Sequence, residues 1–131
     1  LSDRLAEATA EWLHYKVRKE IWGYAPDEPL NIGEMFKTHY QGIRPAVGYP
    51  SLPDQSVIFL LDKLIEFNKS GIQLTENGAM FPNASVSGLM FDHPKSRYFN
   101  IGKIDENQFL DYARRCGKEP EVLRKWLAAN L

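Results

Sequence analysis

Cys116 is the one cysteine in this chain, so no disulfide can form within it. A lone thiol fits a reducing compartment and points to the cytoplasm. The histidines, His14, His39 and His93, are scattered, and with one cysteine they make no metal-site spacing. Neither sign of charge dominates. Lys plus Arg number 16 against 17 for Asp plus Glu, a net charge of −1, so there is no bulk electrostatic attraction to nucleic acid or to an anionic membrane. No apolar run approaches the ~20 residues that span a bilayer, and no secretory leader is visible.

Catalytic motifs are missing too. Gly42 and Gly48 are too far apart for a P-loop or a dinucleotide fingerprint. Ser85 and Ser87 sit in Ser-Val-Ser-Gly, which is not a nucleophile elbow. His93 precedes a proline and reads as a turn residue. Cys116 falls at the end of an expected helix, where the dipole disfavours a thiolate. The chain therefore points to ligand binding, with no acid, base or nucleophile of its own and no metal ligands. A length of 131 residues with 44% hydrophobic residues suits one ordered domain.

The patterning predicts an α+β arrangement. A helix is expected from Leu1 to about Trp22, capped by Ser2 or Asp3 and stopped at Gly23. It is apolar on two sides, with Leu5, Ala8, Trp12 and Tyr15 on one and Ala6, Ala10, Leu13, Val17 and Ile21 on the other, so both should be covered. Its remaining sector holds Asp3, Glu7, Glu11, His14 and Arg18, either a solvated face or a functional one. Asn31 should cap a short helix over 32–40. Asp54 or Ser56 should cap a mostly buried helix running to Ser70 and ended by Gly71. Residues 72–75 read as extended and 76–83 as a loop. Residues 85–91 and 97–104 read as two strands joined by the His93–Ser96 turn into an antiparallel hairpin. Small residues around Ser87 and Gly88 imply close approach of a backbone or ligand. Asp105 should cap a helix over 106–116 that Gly117 ends, and Pro120 should open a last helix buried through Val122, Leu123, Trp126 and Leu127.

The stretch of highest information is Gly42–Pro50, Gly-Ile-Arg-Pro-Ala-Val-Gly-Tyr-Pro. Pro45 and Pro50 fix their own φ and bias Arg44 and Tyr49 toward extended backbone. Such a rigid loop holds a guanidinium, suited to a carboxylate or phosphate, and a phenol in set directions. It reads either as a binding loop or as a tight connection in which Arg44 caps a helix end.

Arg44-Pro45-Ala46-Val47-Gly48-Tyr49-Pro50 resembles the Arg-x-x-x-Gly-Tyr-Pro signature of the activation domain of cobalamin-dependent methionine synthase. The resemblance continues through Trp22-Gly23-Tyr24, Gly71 to Glu76, Ala79-Met80, Ala84 to Gly88, Ser96 to Phe99, Asp111 to Arg115 and Trp126-Leu127, across nearly the whole chain. It implies an α+β, helmet-like fold, of which 1–131 would be the C-terminal portion. The family's N-terminal part supplies further ligand contacts, including an aspartate. The resemblance implies binding of S-adenosylmethionine for the reductive methylation of oxidised cobalamin, within a cytoplasmic methyltransferase. The cobalamin itself is expected on a neighbouring domain of the same polypeptide, with flavodoxin or a flavoprotein reductase as electron donor. Nucleic acid and membrane are not expected partners.

By position, Arg44 is similar to the arginine that holds the methionine carboxylate, Ala46 to a backbone contact, and Tyr49 to a ring and hydroxyl beside the ligand. Tyr98 and Phe99 match an aromatic pair lining the site, with Phe99 lacking a hydroxyl that the family can have there. Asp3 and Glu7 match two carboxylates that face the cobalamin and meet a histidine released from cobalt; Glu7 is also expected near the ligand. Val47 stands where a second proline is common. The resemblance implies a fragment inactive alone, and the alternatives are a free-standing short homologue, an interaction module that kept the fold and lost the ligand, or an unrelated small-ligand sensor.

Overall fold

The structure is a computed structural model that describes residues 1–29 and 31–131. Helix α1 runs Ser2–Lys16 and continues without a break into a π-helical turn, Val17–Ile21. Leu1 occupies the capping position and no side chain caps the helix, so the expected Ser2 or Asp3 cap is not made. Gly23 stops it as expected, with φ +74° and its amide on the Val17 carbonyl.

Within this chain α1 packs through its polar sector, and its apolar sides meet little of the rest of the chain. Leu5, Trp12, Leu13, Ile21 and Trp22 are exposed, while His14 and Arg18, on the polar sector, are fully buried. The physical reason lies in what faces that sector. The Arg18 guanidinium makes a fork with Glu28, at 2.6 Å from Nε and 2.7 Å from Nη2, and lies 4.0 Å from the centre of the Tyr40 ring. His14 Nε2 lies 3.2 Å from the Tyr24 hydroxyl. Polar partners there meet a polar stripe, and the helix docks through it.

Helix α2 is shorter than expected, Ile32–Phe36, with Asn31 accepting from the Glu34 amide at 3.2 Å. Helix α3, Val57–Ile65, ends at Glu66 in the left-handed region (φ +51°), and a 3-10 turn, Phe67–Ser70, follows. Its burial is one-sided. Ile58 and Leu61 are buried with Phe67, whereas Leu60, Leu64 and Ile65 are exposed.

The sheet is small and antiparallel, β1 (Gln73–Leu74) against β2 (Met80–Phe81), in the register Gln73 to Phe81 and Leu74 to Met80. This corrects the reading of 76–83 as loop alone and of 85–91 with 97–104 as the hairpin. Residues 85–91 instead pair with the segment 43–47 through antiparallel bridges Ile43–Phe91 and Ala46–Gly88. Residues 97–104 are irregular. The alternation of residues 85–91 was a true sign of extended chain, but nothing local revealed a partner some forty residues upstream.

Helix α4, Glu106–Cys116, opens with a capping box between Asp105 and Gln108 and ends at Gly117 with φ +63°. Helix α5, Pro120–Arg124, has its proline in the first turn, as expected, but Val122 is exposed. One core gathers Val47, Ile58, Leu61 and Phe67, and a second gathers Phe109, Ala113, Leu123 and Leu127. Phe59 meets Trp126 edge-on at 5.8 Å, and the Tyr112 hydroxyl donates to buried Asp54 at 2.8 Å, tying the two cores together.

Candidate functional site

Residues 42–50 are held by backbone bonds to their neighbours as well as by their prolines. Ile43 and Phe91 exchange backbone bonds at 3.0 and 2.9 Å, Leu89 donates to Pro45 at 3.1 Å, and Val47 donates to Ser87 at 3.2 Å. Gly88 permits this approach, because a Cβ there would lie 2.5 Å from the Pro45 carbonyl oxygen and 3.0 Å from Ala46 Cα. In the Ala46–Gly88 bridge the ladder bonds come from the flanking residues Val47 and Leu89. The Ala46 amide therefore points to the opposite edge.

Ala46 borders a cleft of about 630 Å³. The structure brings Glu7, Arg44, Ala46, Tyr49, Tyr98 and Phe99 around it, joined by Ala10, Tyr40 and Ser85 to Ser87 among others. Asp3 does not line it; it lies exposed in the first turn of α1. Tyr98 and Phe99 reach the cleft from irregular chain pinned to the loop. The Arg44 amide donates to the Tyr98 hydroxyl at 2.9 Å, the Phe99 amide donates to Ser51 Oγ at 3.1 Å, and the Ile101 amide donates to the Pro50 carbonyl at 3.2 Å. Arg44 and Ala46 also border a second cleft of about 260 Å³.

The Arg44 side chain is about a quarter exposed and forms an ion pair, Nη2 to Oε2, with Glu11 of α1. Burial works against its charge, but the hydrogen bond and charge of Glu11 outweigh this and hold its pKa above the ordinary value. Burial also lifts the Tyr40 hydroxyl well above the usual phenol range, so it stays neutral. His14 behind it is brought down to about 3, first by burial and then by the Arg18 and Arg44 charges. The site thus presents one fixed positive group on a largely apolar wall with aromatic rings at its mouth. That suits a ligand with a carboxylate at one end and a flat or cationic body.

Sequence reasoning did not single out Tyr40, read as core, or Glu11 as a partner of Arg44. The signal for Glu11 was its place one turn after Glu7 on the acidic stripe; the missing information was that Arg44 would face it. His93 is the turn residue expected, accepting from the Lys95 amide at 3.0 Å. Cys116 is exposed at the end of α4, away from the cleft-lining residues. Among the described residues no group of His, Cys, Asp and Glu is placed to hold a metal ion, and no helix is long and apolar enough to cross a membrane.

Residues 1–117 match the model of the vitamin B12 dependent methionine synthase activation domain. The chain is also similar to a solved structure, the crystal structure of the MetH reactivation domain bound to AdoHcy, at 49% sequence identity and a TM-score of 0.93. The match covers 98% of this chain and 40% of that one, so the chain spans well under half the length of the structure it resembles.

Proposed function

The chain belongs to the activation-domain family of vitamin B12 dependent methionine synthases, and from that premise we propose that it is the C-terminal portion of such a domain and binds S-adenosylmethionine in the cleft beside Arg44. The observation that carries the reading is the placement of Arg44. Its guanidinium stays charged, borders a cleft of about 630 Å³, and shares that cleft with Ala46, Tyr49, Tyr98, Phe99 and Glu7. A volume of this size lies within the usual range for small-ligand sites. The bound AdoHcy named for the 49% identical structure is a close analogue, which supports the ligand class.

In this reading Arg44 binds the ligand carboxylate, using the donors that Glu11 does not occupy. The Ala46 amide offers a donor from the free edge of the loop. Tyr49 and Phe99, more than half exposed, offer ring faces suited to a sulfonium cation. S-adenosylmethionine supplies an electrophilic methyl group when bound; the chain's own residues bind and orient it, and none acts as acid, base or nucleophile. The wider role is reactivation of cobalamin in a methyltransferase, with the cobalamin held by another domain of the same polypeptide, Asp3 and Glu7 facing that domain, and flavodoxin or a flavoprotein reductase delivering the electron in the cytoplasm.

The test is calorimetric titration of AdoHcy into the natural polypeptide that carries this chain. Arg44→Lys should weaken binding by ~1–3 kcal/mol, because an ammonium cannot reproduce the planar fork. Unchanged affinity would remove Arg44 from the site. Absence of binding by the parent protein would favour an interaction module that kept the fold and lost the ligand.

A further inference from the structure

Resting on that reading of Arg44, we propose that Glu11 is a positioning residue for the ligand carboxylate, bracing one edge of the Arg44 guanidinium so that the rest of the fork faces the cleft. Three observations carry this. First, Glu11 engages Arg44 through a single pair of atoms, Oε2 and Nη2, while Glu11 Oε1 and Arg44 Nε are buried without a partner among the described residues. Burial closes Nε to a ligand, so the donors the brace leaves free are those of Nη1 and the remaining one of Nη2. Second, Arg44 borders both clefts but Glu11 borders neither, which places the carboxylate away from the space a ligand would enter. Third, the helix that carries Glu11 is itself anchored. Arg18, seven residues on along the same stripe, is fully buried in its fork with Glu28, and His14 is fully buried beside Tyr24 and Tyr40.

The consequence concerns both charge and order. A guanidinium without Glu11 would sit half-buried with its charge opposed by desolvation. It would also keep its rotamer freedom until a ligand arrived, and binding would have to remove that freedom. The Glu11 carboxylate repels an incoming carboxylate, but from the far edge of an intervening cation, so bracing outweighs repulsion. Glu11 thereby serves selectivity. It strengthens binding of ligands that carry the amino-acid carboxylate and does nothing for ligands that lack it.

The experiment compares AdoHcy with 5′-methylthioadenosine, which keeps the nucleoside and thioether and lacks the carboxylate, by calorimetry on the natural polypeptide. Glu11→Ala should weaken AdoHcy about tenfold, the scale of one charge-assisted hydrogen bond, and change methylthioadenosine less than about twofold. Glu11→Gln, whose amide oxygen still accepts from Nη2, should recover most of the loss. Glu11→Asp keeps the charge and loses reach, so it should show a several-fold loss for AdoHcy alone; it carries the test if the alanine variant does not fold. Equal weakening of both ligands would make Glu11 merely structural, and tighter AdoHcy binding in any of the three variants would make it a competitor; either result overturns the proposal. Arg44→Lys is the separate control. If it leaves AdoHcy affinity unchanged, the assignment of Arg44 fails and the role of Glu11 fails with it, whatever the Glu11 variants show.

Discussion

Acid should destabilise this protein through His14, at a pH where most carboxylates are still ionised. The imidazole is fully buried, its Nδ1 has no partner among the described residues, and it sits near the Arg18 and Arg44 guanidinia. Burial first, then those two charges, bring its pKa from 6.5 to about 3. The unfolded chain takes up a proton near pH 6.5 and the folded chain does not until about pH 3. Between those values the unfolded state binds more protons, so stability falls as pH falls, with a limiting slope of about 1.4 kcal/mol per pH unit. Above pH 6.5 the contribution is constant and fully present. By pH 5 the loss is about 2 kcal/mol, a large fraction of a typical domain's stability. The assay is urea unfolding of the natural polypeptide and of His14→Gln at pH 7.5, 6 and 5. Other titrating groups act on both proteins, so the quantity that matters is the difference between them. The parent should lose about 2 kcal/mol more than the variant between pH 7.5 and pH 5. Parallel stability curves would show that the imidazole protonates inside the fold without penalty, and the account of the buried seam would be wrong.

Gly88→Ala should force residues 85–91 away from the binding loop, because its Cβ would meet backbone atoms, Pro45 O at 2.5 Å and Ala46 Cα at 3.0 Å. A loss of ~1–3 kcal/mol in urea unfolding, with weaker AdoHcy binding, is expected from overpacking of this kind; an unchanged midpoint would show that the loop yields cheaply. Asp3→Asn combined with Glu7→Gln tests the acidic end of α1. If Asp3 and Glu7 face a cobalamin-binding domain as proposed, the pH-dependent spectral change between histidine-bound and histidine-free cobalamin in the natural polypeptide should shift its midpoint, since a protonated imidazole between two carboxylates is favoured as pH falls. The same midpoint and amplitude as the parent would make that end of the helix merely solvated.

The local rules read well where the determinants were local. Asp105 with Gln108, Asn31 with Glu34, and the stops at Gly23 and Gly117 depend only on neighbours in sequence, and the structure shows each in place, whereas the helix expected to reach Ser70 stops at Glu66 and Gly71 closes only the 3-10 turn after it. Pairing did not read the same way. The strand-like stretch 85–91 alternates whatever its partner is, and its pairing with 43–47 brings Gly88 against Pro45 and Ala46, a contact across more than forty residues that no local pattern shows. Arg44 and Tyr49 were legible from the rigid loop that holds them, while Ala46, Tyr98, Phe99 and Glu7 were legible only through the family resemblance. Tyr40 and Glu11 were not, since a tyrosine near a helix and a glutamate on an acidic face are common features with ordinary explanations.

The docking of α1 through its polar sector bears on the same site. Within this chain the helix buries Arg18 and His14 and leaves Leu5, Trp12 and Leu13 uncovered, so its contact with the other elements is the polar seam. Burying a charged and polar seam is a weak source of stability. Desolvation of the ions offsets most of their attraction, and hydrophobic residues of similar volume would serve the fold at least as well. What such a seam supplies is direction. The fork between Arg18 and Glu28 and the edge-on contact of His14 with Tyr40, at 5.3 Å between ring centres, fix the rotation of α1 about its axis. That rotation points Glu11 at Arg44 and brings Glu7 and Ala10 to the wall of the cleft. An apolar interface of the same area would hold the helix in place while tolerating small rotations. The proposed site, whose single cation must meet a carboxylate within hydrogen-bonding distance, would not tolerate them, so the polar sector of the helix, the part hardest to place from sequence, is the part that sets Glu11 against Arg44.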